Sequence, residues 1–176
     1  MAVLLTLVLV VTIVPTTAFA ASNEQQIFDY VTGTMGLNTA AACGVLANIE
    51  RESSFNPHAE CIDTNGLTSY GICQWNGARY DALRNYCSAR GYDYTTLNGQ
   101  LHYLQYELEG SESSAYYRIK NVENTADRAY TAGYNWARYF ERCAQYWGGV
   151  DQYATRGNLA RNTYGATRIS PLQSPA

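Results

Sequence analysis

Apolar residues recur at helical spacing along most of the chain, and Gly, Asn or Pro breaks the pattern where each segment ends. Ile27, Tyr30 and Val31 share one face of a first helix over residues 22–32, with Ser22 or Asn23 as its cap and Gly33 and Gly36 closing it. Asn38 can cap a second helix that reaches about Arg51, where Ala42, Val45, Leu46 and Ile49 make one apolar stripe. A third helix over 81–90 stops at Gly91. A fourth over 96–109 aligns Leu97, Leu101, Leu104 and Leu108 before Gly110. The same spacing predicts a fifth helix over 125–139 and a short sixth over 151–161. Between residues 53 and 75 the helical period is lost, and Asn56, Pro57, Asn65 and Gly66 punctuate a loop or small hairpin. The pattern predicts a single domain that is mainly α with a small β-hairpin or irregular β element.

The two ends read differently. Residues 1–14 are apolar with interspersed Thr and carry no charge, and Pro15 leads to Ala18-Phe19-Ala20, a small-residue cleavage pattern. Residues 1–20 are therefore read as a secretory signal peptide, since about 13 apolar residues fall short of the ~20 needed to span a bilayer. A secreted protein with no stable membrane association after cleavage is expected. Residues 165–176, with Pro171 and Pro175, read as a disordered tail, which leaves 21–164 as the folded domain.

Charge narrows the partners. With 15 acidic and 12 basic side chains the chain carries a net −3, so a broad basic surface for nucleic acid is not predicted. Sixteen Tyr and three Trp supply flat rings that can stack on sugars or simply pack the core. Five cysteines in an exported protein suggest two bridges and one leftover thiol, with Cys61–Cys73 the simplest pair because it would close the loop after Glu52. His58 and His102 do not stand at a zinc-site spacing from a Cys pair, so no metal and no cofactor is expected.

Glu52 is the leading candidate for chemistry. It ends an apolar helix just where the chain turns into a polar loop, which suits a carboxyl half withdrawn from water and facing a sugar. Burial and the negative end of the helix dipole would both favour its protonated form, as a general acid requires. Periodicity alone does not separate it from Glu50, which lies on the other flank of the stripe. Asp63 is the choice for a second group, ahead of Glu60 in the same loop. In an extended segment Tyr70, Ile72 and Gln74 point one way and Gly71, Cys73 and Trp75 the other. Tyr70, Gln74 and Trp75 are candidate substrate contacts, although Trp75 is equally suited to the core. Glu107, on the Leu104 and Leu108 face of its helix, reads as a buried polar anchor for the loop.

The stretch Ala41 to Pro57, ending in Glu50-Arg51-Glu52-Ser53-Ser54-Phe55-Asn56-Pro57, resembles the catalytic helix and exit of the phage tail lysozyme family. Tyr70-Gly71-Ile72-Cys73-Gln74-Trp75 is similar to the strand that follows it, and Gln100-Leu101 with Tyr106-Glu107-Leu108 to a later helix. Phe140-Glu141-Arg142, Arg156 and Ala160 loosely resemble the last helices, with Cys143 where a proline is expected. The resemblance implies a lysozyme-like fold, bacterial peptidoglycan as the partner, and Glu52 as the acid of a muramidase or of a lytic transglycosylase. Two other classes remain open on the residues alone. Cys43 and His102 could pair as in a cell-wall peptidase or amidase, which the helical placement of His102 disfavours. A groove without chemistry would make a binding module.

Overall fold

The computed structural model describes residues 21–64 and 66–169. Its architecture is a helical bundle with two small antiparallel β elements. Helix α1 (Asn23–Asp29) is capped by Ser22, whose Oγ accepts from the Gln25 N–H at 3.2 Å, and runs into a π-helical turn, Tyr30–Thr34. Helix α2 (Thr39–Ser53) begins at Asn38, which accepts from the Ala41 N–H at 2.9 Å. Residues 40 to 49 of α2 are buried without interruption, so this helix is the axis of the domain rather than an amphipathic surface element.

A three-stranded sheet follows. Strands β1 (Glu60–Ile62), β2 (Thr68–Tyr70) and β3 (Trp75–Asn76) pair in that order, with Cys61 opposite Ser69 and Tyr70 opposite both Glu60 and Trp75. Helices α3 (Ala78–Arg90) and α4 (Leu97–Glu109) end as the pattern predicts, α3 on a left-handed Gly91. Helix α5 (Ser113–Lys120) and the hairpin of β4 (Tyr146–Trp147) and β5 (Val150–Asp151) were not foreseen. Helix α6 (Ala126–Trp136) continues as a π turn, Ala137–Glu141. Helix α7 (Gln152–Leu159) likewise passes through a π turn, Ala160–Gly165, into α8 (Ala166–Arg168).

Helix α2 packs most extensively on α6, which also carries α7. Both contacts depend on missing side chains. A Cβ on Gly44 would stand 2.6 Å from the Ala132 Cβ, and one on Gly133 would stand 2.8 Å from the Arg156 carbonyl oxygen. Gln100, wholly buried, ties the sheet to α4: its Oε1 accepts from the Ile72 N–H at 2.9 Å, and its Nε2 donates to the Pro57 and Tyr94 carbonyls at 2.8 and 2.9 Å.

Two expectations need correction. The tail does not begin at residue 165: Ala166–Arg168 are helical and Ile169 is buried in the core, because the π turn redirects the chain back onto the domain. The Cys61–Cys73 bridge is absent. All five cysteines are free thiols; Cys61 is exposed on the edge strand opposite Ser69, whereas Cys73 is buried beyond the end of β2. The expected signal peptide lies outside the described residues.

Candidate active site

Glu52 sits in the last turn of α2, and the helix is broken immediately after it by two left-handed residues, Ser54 (φ 51°) and Phe55 (φ 62°). The break is fixed from both sides. Ser53 Oγ donates to the Ile49 and Ile72 carbonyls at 3.1 and 3.0 Å, and Asn23 Nδ2 donates to the Phe55 carbonyl at 3.0 Å. The carboxyl thereby faces a groove of about 620 Å³. One wall is the β1–β2 hairpin, contributing Cys61, Asp63 and Ser69. The opposite wall is the segment Glu141, Arg142, Cys143 and Ala144 that leads out of the π turn after α6.

Arg156 holds Glu52 from behind. Its Nη1 donates to Glu52 Oε1 at 2.5 Å and to Asn48 Oδ1 at 3.2 Å. Asn48 is set in turn by its own donations to the Gly44 and Gly133 carbonyls at 2.9 and 3.0 Å. The close α2–α6–α7 packing is thus what delivers the guanidinium to the helix end. Arg156 is only 7% exposed, and its Nε is the one buried side-chain nitrogen or oxygen without a partner among the described residues.

Glu141 supplies a second carboxyl to the same groove. Trp136 Nε1 donates to its Oε1 at 2.7 Å, and Glu52, Arg79 and Arg156 surround it. Although the residue retains some solvent access, burial of the carboxyl pushes its pKa up to about 8, and the charge of Glu52 adds to the rise. Arg79, Arg156 and the Trp136 hydrogen bond oppose the shift without cancelling it. The two carboxyls are therefore unlike. Glu52 is ion-paired with a guanidinium, whereas burial favours the protonated form of Glu141.

The other candidates separate. Asp63 lines the groove but is exposed, and its Oδ1 accepts from the N–H and hydroxyl of Thr64 at 2.6 and 3.3 Å, closing its own turn. Gln74 also lines the groove, in a left-handed conformation (φ 46°), with its amide committed to the loop. Its Nε2 donates to the Ala59 and Gly71 carbonyls at 3.0 and 2.9 Å, and its Oε1 accepts from the Cys61 thiol at 3.3 Å.

Tyr70 and Trp75, expected as substrate contacts, do not line the groove. Tyr70 is buried and stacks on Tyr80, with centroids 5.3 Å apart, on the far side of the sheet from the groove-lining Ser69. Trp75 is fully buried and donates from Nε1 to Glu107 Oε2 at 2.9 Å. Glu107 is the polar anchor its sequence position suggests, accepting also from Arg79 at 2.8 and 3.0 Å and from Tyr103 at 3.3 Å. The Cys–His pair does not form either. Cys43 is buried in the core with its thiol pushed up to about 12 by burial, while His102 stacks on Tyr92 and meets the Tyr30 hydroxyl at 3.1 Å.

Sequence reasoning missed the parts played by Glu141, Arg156 and Asn48. The first two were named only for their likeness to a family pattern, and the predicted fifth helix stops two residues short of Glu141. The profile of the phage tail lysozyme family matches residues 22–166, which span the groove and the helices α1 to α7. No match was found among curated proteins.

Proposed function

The chain belongs to the phage tail lysozyme family, and from that membership we propose that it is a muramidase, cleaving the bond between N-acetylmuramic acid and N-acetylglucosamine in peptidoglycan by general acid catalysis. The observation that carries the proposal is a pair of carboxyls in one groove, Glu52 held by Arg156 and Glu141 held by the Trp136 indole, with burial raising the pKa of Glu141. Breaking a glycosidic bond needs a proton on the leaving oxygen and negative charge near the oxocarbenium-like sugar. The resting site holds both. Glu52, at the helix end that opens on the groove, is the group that meets the bridging oxygen. Glu141 stores the proton at neutral pH and shares it with Glu52 when a bound sugar excludes water from between them. Asp63, which lines the same groove, would orient the attacking water.

A lytic transglycosylase is the second reading. It is favoured by the exposure of Asp63, whose carboxylate accepts from Thr64 in its own turn. Such an enzyme needs one acid and lets the substrate's own hydroxyl attack. The apolar leader supports a site of action outside the cytoplasm, where the polymer lies.

Analysis of the ends produced from purified peptidoglycan decides between these readings. Free reducing sugars are expected from hydrolysis and anhydro ends from transglycosylation. New amino termini would replace both readings with peptide cleavage, and a bound but uncut polymer would leave a binding module.

A further inference from the structure

Most of the large apolar side chains left in water lie on two hairpins. Among the described residues, Ile62 (70% exposed) and Leu67 (49%) stand on the β1–β2 hairpin, and Tyr146 (66%), Trp147 (74%) and Val150 (50%) on the β4–β5 hairpin, while Tyr106 and Tyr117 lie apart on α4 and α5. The first hairpin lines the groove through Cys61, Asp63, Thr64 and Ser69, and the second follows directly on the groove-lining segment Glu141–Ala144.

The second hairpin is firmly mounted yet buries little. Gly148 and Gly149, both with positive φ (58° and 79°), make its two-residue turn and set Trp147 opposite Val150. Its base is closed by the Gln152 N–H on the Gln145 carbonyl at 2.7 Å and by Gln145 Nε2 on Asp151 Oδ2 at 3.2 Å. The Tyr153 hydroxyl, donating to the Cys143 carbonyl at 3.1 Å, pins it to α7. Neighbouring residues on a strand face opposite ways, so the exposure of both Tyr146 and Trp147 means that the ribbon stands clear of the domain on both faces. An apolar ribbon that contributes nothing to the core marks a binding surface.

We propose that the two hairpins are jaws extending the groove along a glycan strand, with Trp147 as the platform on which a hexosamine ring stacks beyond the bond being cleaved. This rests on the glycosidase reading of the same groove. A polymer longer than the groove continues past the segment that carries the second hairpin, and an exposed indole suits the apolar face of a sugar ring. The charge argues against an anionic lipid surface, because the only ionisable acid or base between Gln145 and Gln152 is Asp151, a carboxylate.

Trp75 and Trp136 are buried, so Trp147 is the only indole of the chain that meets solvent. Its fluorescence reports the jaw directly. In the Glu52→Gln protein, soluble uncrosslinked glycan strands should shift the emission to shorter wavelength and lower its quenching by acrylamide. Trp147→Ala in the same background should weaken strand binding, measured by calorimetry, roughly tenfold, the order expected of one lost aromatic platform. Strands that bind while Trp147 stays fully quenchable would overturn the jaw and leave the glycosidase reading standing. Failure of the strands to bind at all would overturn both. A shift produced by anionic phospholipid vesicles and not by glycan would replace the jaw with a membrane contact.

Discussion

Glu50 and Glu52 leave the same helix end on different flanks and are used differently. Glu50 accepts from the Tyr164 hydroxyl at 2.6 Å, a packing contact, whereas Glu52 meets Arg156 in the groove. Periodicity could show that the two carboxyls diverge but not which flank opens on a cleft, because that depends on where α6 and α7 lie. Glu52→Gln, which keeps an oxygen for Arg156 to donate to but removes the paired charge, should lower turnover of peptidoglycan by at least about 10²-fold at a smaller stability cost than truncation of Glu107. Glu107 gives the opposite expectation. Truncating it strands the Arg79 guanidinium and the Trp75 indole, so Glu107→Ala should cost roughly 3 kcal/mol in urea unfolding. An equal stability loss in the Glu52 variant would place that residue in the scaffold instead.

Among the elements, long periodic helices are legible in the sequence and short or irregular ones are not. The caps Ser22, Asn38 and Thr96 and the stop at Gly91 act where turn chemistry puts them. Strands of two residues are too short to show alternation, so β4 and β5 leave no signal beyond the Gly148-Gly149 turn. The π turns at 137–141 and 160–165 slip the 3.6-residue period, which hides the continuation that carries Glu141 into the groove. Trp75 shows the converse error: residues 71–74 form a turn rather than a continuous strand, so Trp75 pairs opposite Tyr70 and both are buried instead of alternating between cleft and core. The close helix packing makes a further prediction. Gly133→Ala would drive a Cβ against the Arg156 carbonyl and push α7 away from α2. It should cost about 1–3 kcal/mol, and activity should fall further than the lost stability accounts for, because the Arg156–Glu52 contact opens. Turnover on peptidoglycan beside a denaturation curve checks it.

For the whole molecule, two consequences follow from free thiols and a buried acid. With five unbridged cysteines, a reducing agent should leave the thermal midpoint unchanged. A fall under reductant would mean that the protein in solution carries a bridge. Glu141 makes stability depend on pH. Its pKa is about 8 in the folded chain against an ordinary 4.5, so between these values the folded state binds a proton that the unfolded state has released. Its contribution is complete below 4.5 and is lost as pH rises through 8. The wild-type midpoint should decline across that window, and Glu141→Gln should flatten the decline. Carbon-13 titration of the glutamate side-chain carboxyls tests the central claim most directly. One carboxyl should remain protonated at neutral pH, titrate near 8 and vanish from the spectrum of Glu141→Gln. If every glutamate is already ionised by pH 6, the groove stores no proton and the proposed acid catalysis fails.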